Sequence, residues 1–112
     1  MTSPPAIGYL RPHISGLQLE WHRTQMRRLA TRLGYDLIRI LAFGPDIDQP
    51  IHRLCVAAGR TRAEAVFVPS AAHFDGSRVP VELVQVADVI TVDDVHTYAR
   101  HSTGQLPQFN GA

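Results

Sequence analysis

The chain has 112 residues, 45% of them apolar and 19% charged, with a formal net charge of +1. A single domain of this size buries roughly 65% of the surface that its unfolded form exposes, enough for a real core. Cys55 is the only cysteine, which excludes an intramolecular disulfide or a Cys-rich metal site. No apolar run approaches the roughly 20 residues of a membrane helix, and the first residues form neither a basic nor an apolar leader. The expected address is therefore the cytoplasm, with no membrane partner.

All eleven basic residues are arginine, a bias that GC-rich coding explains without Arg-specific pairing. Their spread is uneven. Residues 1–60 carry eight Arg against four acids, and residues 61–112 carry three Arg against six acids. Such asymmetry points to a polar partner surface but is too small to imply nucleic acid unaided.

In chain order, residues 1–5 are expected to be flexible. Ala6–Arg11 reads as a strand apolar on both faces, as a central parallel strand should be. Ile14–Leu33 reads as a helix, with Leu19, His22, Met26, Leu29 and Leu33 forming one buried stripe. Pro12 or Ser15 marks its start and Gly34 its end. Asp36–Phe43 is the second strand, and Gly44-Pro45-Asp46 a turn. Asp48 is expected to cap a helix that carries Pro50 early and runs to about Gly59. Glu64–Val68 is the third strand, closed by Pro69, and Ser70–Ser77 is loop.

Arg78–Ala87, opened by Pro80, reads as a third helix, although Val79, Val84 and Val86 also suit a strand. Asp88–Val92 is the fourth strand, and Val95–Arg100 a last helical turn. From His101 the composition is small and polar, giving a flexible tail over 101–112. Alternating strands and helices predict one α/β domain over residues 6–100, three layers deep, with a four-stranded parallel sheet in the order 2-1-3-4.

Chemistry is concentrated at the end of the first strand. Residues two apart on a strand share a side, so Tyr9 and Arg11 can present a phenol and a guanidinium to an anion beside a helix N-terminus. The competing account packs Tyr9 in the sheet margin and pairs Arg11 with Asp36 or Asp46. In the loop, His13 could act as base and Ser15 as nucleophile or anion ligand; alternatively Ser15 caps the helix and His13 is an exposed loop residue. Arg11, His13 and Ser15 are thus the catalytic candidates, and Tyr9, Arg11 and Ser15 the anion-binding ones.

Elsewhere His22 sits on the apolar stripe as a core or boundary residue. No histidine shows metal-ligand spacing, and a site built from His73, Asp75 and His96 is disfavoured, so no metal is expected. Arg23, Arg27, Arg28 and Arg32 form a basic rim flanked by Trp21 and Gln25. Such a row suits phosphates, but a solvated or partner-facing helix looks the same. Asp93-Asp94 reads as a turn. Gly8 is isolated, there is no phosphate-binding glycine loop, and no cofactor is expected.

The strand ending in Tyr9-Leu10-Arg11 and running into a Gln/Arg-rich helix resembles the start of the serine recombinase (resolvase/invertase) catalytic domain. Leu33-Gly34-Tyr35-Asp36 is similar to the turn before that family's second strand, and Asp48-Gln49-Pro50-Ile51 to its Asp-Arg-Pro-x-Leu helix opening. Ala65–Val68, Asp88–Val92 and His101–Leu106 stand where its third strand, fourth strand and Thr-Pro-x-Gly-x-Leu segment would lie. The likeness implies a resolvase-like fold over roughly residues 6–106.

The likeness departs at the chemistry. The family pattern puts the nucleophilic Ser two residues after Arg11, where this chain has His13; Ser15 comes two positions late. Gln49 replaces the helix-opening Arg, and Ala71-Ala72-His73-Phe74-Asp75 replaces an Arg-bearing segment. Only Tyr9 and Arg11 carry over, so the resemblance implies a scaffold without strand-exchange chemistry. Such a degenerate relative would serve as a regulatory or protein-interaction module, through a protein partner or as a homodimer. The alternatives are a phosphate- or nucleotide-handling protein at the first strand–helix loop, and a nucleic-acid accessory protein, with DNA as partner, using the Arg23–Arg32 face.

Overall fold

The structure, a computed structural model, describes residues 2–101. The expected tail over 101–112 and the likeness at His101–Leu106 lie, but for His101, outside the described residues. Nine regular elements follow in chain order: β1 (Pro5–Leu10), α1 (Pro12–Ser15), α2 (Leu19–Arg32), β2 (Asp36–Ala42), α3 (Pro50–Thr61), β3 (Ala65–Val68), α4 (Val81–Val84), β4 (Asp88–Thr91) and β5 (His96–Tyr98). Short 3-10 turns join α1 to α2 and follow β3.

The sheet order is β2-β1-β3-β4-β5. The first four strands run parallel in the expected order. The fifth is an addition: β5 pairs antiparallel with β4, setting Val89 against Tyr98 and Thr91 against His96. The helical turn expected over Val95–Arg100 is therefore corrected to a strand. Three residues carry too little local preference to specify it, and the ladder offered by the β4 edge decides.

Both faces of the sheet are covered, because β1 and β3 bury every side chain from Ala6 to Leu10 and from Ala65 to Val68. On one face Ile7, Tyr9, Val66, Val68 and Val89 pack with Leu54 and Ala58 of α3 and Leu83 and Val84 of α4. On the other, Ala6, Leu10, Phe67 and Ile90 pack with Met26, Leu29 and Ala30 of α2. Gly8 lets α2 approach: a Cβ there would stand 2.6 Å from Met26 Cε and 2.9 Å from Ile40 Cγ1. The β1–β2 register slips between Ala6 and Ile7, leaving Ile38 unpaired. After that bulge Arg39 and Leu41 share the α3 side of the sheet, since they pair with Ile7 and Tyr9.

Several helix limits differ from expectation. Helical structure starts at Pro12, where the ring's fixed φ suits the first position. At the end of α2, Gly34 takes φ +85 while its N–H bonds Thr31 O and that of Tyr35 bonds Ala30 O, a Schellman closure. Leu33 is not in the stripe; it is 43% exposed, and Ala30 takes the buried place. Asp48 does not cap α3: Gln49 does so in the left-handed region, without a side-chain bond. Gly59 is interior to α3, which continues to Thr61 and closes on left-handed Arg62. The third helix shrinks to the single turn of α4, squeezed between Pro80 and the strand that opens at Asp88.

Candidate functional site

Parallel strands place their carboxyl ends together, and there the connections after β1, β3 and β4 meet. Arg11 ends β1 in an extended conformation, and its carbonyl accepts the N–H groups of Ile14 and Ser15, which opens α1. Its guanidinium turns sideways to the β2–α3 connection. Nε donates to Phe43 O at 2.8 Å, Nη2 to Gly44 O at 3.0 Å and Nη1 to the Tyr9 hydroxyl at 3.4 Å. Neither Asp36 nor Asp46 is its partner; backbone carbonyls are.

Tyr9 is fully buried, stacked on Phe74 at 5.5 Å and edge-on to Phe43 at 6.0 Å. Burial is the main cause that raises its phenol pKa, against the smaller opposing pull of Arg11. The tyrosine belongs to the core under this end of the sheet, and its hydroxyl steadies Arg11.

The backbone N–H of Arg11 donates to His73 Nδ1 at 2.9 Å. An imidazole nitrogen that accepts is unprotonated, so His73 is neutral with its proton on Nε2. His73 is 3% exposed. Burial lowers its pKa to about 4, with His22, His13 and Arg11 adding repulsion. Its ring meets the His22 ring edge-to-face at 5.6 Å. His22 Nδ1 in turn shares a hydrogen bond of 2.7 Å with Ser15 Oγ. Burial also lowers the His22 pKa, which favours its neutral form as an acceptor for the hydroxyl.

Ser15 is 5% exposed and makes no capping bond. Its partner is His22, and His13 is exposed, as in the account that made it a loop residue. The array therefore runs from Ser15 through His22 and His73 to the backbone of Arg11. Two of its members, His22 and His73, escape a reading of local sequence. The seven-residue step from Ser15 to His22 is a signal for one helix face, while His73 comes from a distant turn and leaves none.

Beside this array lies a cleft of about 460 Å³ lined by Trp21, His22, Gln25, Pro69, Ser70, Val92 and Asp93. His22 lines this concavity, whereas Tyr9 and Arg11 do not. Of the basic rim, Arg27, Arg28 and Arg32 are exposed, and Arg23 pairs with Glu20 at 3.7 Å. Asp93 and Asp94 form the β4–β5 turn, where the Thr91 hydroxyl bonds Asp94 Oδ1 and lowers its pKa. His96 faces Tyr98 across 4.4 Å.

Among solved structures, a resolvase family site-specific recombinase from Streptococcus pneumoniae superposes with a TM-score of 0.67 over 89% of this chain and 79% of that chain, at 14% identity. The chain has a resolvase-like fold. No protein-family model and no curated protein matches the sequence. Within this resolvase-like fold, His13 sits at the start of α1 and Gln49 at the left-handed cap of α3. Ala71–His73 form a 3-10 turn whose histidine faces inward. No helix among the described residues is long and apolar enough to cross a membrane.

Proposed function

We propose that this resolvase-like domain performs no DNA strand exchange and acts as a regulatory or protein-interaction module, binding a protein partner or a second copy of itself. The engagement of Arg11 carries the reading. Transferring a phosphodiester to a serine builds negative charge that several preorganised guanidiniums must meet. Here the guanidinium of Arg11 is committed to Phe43 O and Gly44 O, and the hydroxyl of Ser15 is committed to His22. Exposed apolar side chains support a partner surface: Ile14, Leu17 and Trp21 are 46%, 107% and 59% exposed along α1 and the start of α2. Incubation with supercoiled plasmid is expected to yield neither relaxed nor nicked DNA. Relaxation that disappears in Ser15→Ala would refute the proposal.

The Ser15–His22 contact favours a second reading, a ligand-handling enzyme in which Ser15 attacks while His22 takes its proton. Mass spectrometry after exposure to a serine-directed fluorophosphonate separates the two. The module reading expects an unmodified protein, and the enzyme reading an adduct on Ser15 that His22→Ala prevents.

A further inference from the structure

A second concavity, of about 560 Å³, lies over the edge strand β2, away from the Ser15–His22 array. Two periodicities build it. Arg39, Leu41 and Phe43, spaced by two, line one side, and His52, Arg53, Val56 and Arg60, spaced as a helix stripe, line the other. Leu41 is buried in the cluster that holds Leu54 and Ala58 of α3, while Arg39 on the same side of the edge strand stays exposed beside this stripe.

The lining divides by chemistry. Leu41, Phe43, Ile47, Val56 and Ala57 are apolar, Arg39, Arg53 and Arg60 carry positive charge, and no Asp or Glu contributes. The only ion pair among the described residues joins Arg23 to Glu20, so none of these three guanidiniums is paired with a described carboxylate, although Asp46 and Asp48 flank Ile47 on the rim. Arg53 is anchored, its Nε donating to Asp48 O at 2.6 Å. Concentrated charge of one sign in a walled groove focuses its field on anions, and guanidiniums suit phosphate in particular. The volume lies in the range of small-molecule sites, about 300–1,000 Å³.

We propose that this groove binds a phosphorylated small molecule with a flat apolar body, a nucleotide being the simplest. Arg39, Arg53 and Arg60 hold its phosphate, while Phe43, Ile47 and Val56 pack on its ring system. A nucleic-acid polymer suits the groove less well, because about half of its lining residues are apolar and only three are arginines. The row from Arg23 to Arg32 lies on α2, across the sheet. This inference is independent of the function proposed above.

Amide chemical-shift titration of the full chain with adenosine monophosphate, adenosine, inorganic phosphate and a single-stranded oligonucleotide tests it. The monophosphate is expected to give saturable shifts centred on Arg39, Val56 and Arg60. Adenosine and phosphate alone should each bind about tenfold more weakly or worse. Arg39→Gln/Arg60→Gln, at two exposed positions, should keep the melting temperature of the free protein and weaken the monophosphate about tenfold or more. Arg27→Gln/Arg28→Gln should leave it unchanged. Absence of saturable shifts at millimolar monophosphate overturns the proposal, as do shifts centred on Arg11–Ser15. Equal affinity for phosphate and the monophosphate overturns the role of the apolar lining. Tighter oligonucleotide binding that depends on Arg27 and Arg28 assigns the anion site to α2 instead.

Discussion

His73 shows how one side chain ties the ends of two strands together and sets an acid limit on the fold. Its Nδ1 accepts the Arg11 N–H only while the ring is neutral. An unfolded histidine gains its proton near pH 6.5, and the folded one only near pH 4. Between those values the unfolded chain holds a proton that the native chain lacks, so stability falls as pH drops from about 6.5 and levels off below about 4. The full loss is on the order of 3 kcal/mol, and His22, shifted the same way, adds to it. Urea unfolding at a series of pH values should record this slope. In His73→Asn, whose amide oxygen still accepts the N–H but does not titrate, the slope should be markedly reduced.

A second test at this scale concerns Gly8, which reads from sequence as an isolated glycine outside any phosphate-binding loop. Its missing side chain is where Met26 and Ile40 meet. Met26 Cε can swing away, but Ile40 is fixed in its strand, so Gly8→Ala should cost about 1–3 kcal/mol by overpacking. Thermal unfolding would report it.

Among the elements, the β4–β5 hairpin and α3 each carry a local conflict that the surrounding fold overrides. Val95 adopts φ +49 in the turn and is 54% exposed. A β-branched residue there is strained, so Val95→Gly should stabilise the protein by about 1 kcal/mol in chemical denaturation. The gain should vanish if Val95–Arg100 forms a helical turn, where glycine is unfavourable. Gly59 lies inside α3 with open space around it and no positive φ. Gly59→Ala should therefore add about 0.5–1 kcal/mol. If Gly59 instead ended the helix in a left-handed conformation, alanine would destabilise, so the sign of the change decides where α3 stops.

For the molecule taken together, the proposed interaction role predicts association through the α1–α2 surface. Sedimentation velocity over a concentration series should show self-association that Leu17→Ser/Trp21→Ser removes without altering the melting temperature, since both side chains are exposed. A monomer at every concentration leaves a different protein as the partner. The face would then be mapped by the same double substitution against that partner.

Much of the architecture was legible in one dimension because it rests on local periodicity. The doubly apolar run from Ala6 to Leu10 requires a central strand, the Met26–Leu29 spacing a helix on one face of the sheet, and Gly34 a left-handed stop. Arg11 stood out for the same reason, as a fixed charge at the end of a buried strand. Its destination did not, because the carbonyls of Phe43 and Gly44 reach it only when β2 lies beside β1. Likewise His73 meets His22 across 51 residues of chain, and β5 exists because β4 presents an open edge. Contacts between distant segments depend on register and layer order, and short-range residue preferences carry no record of either.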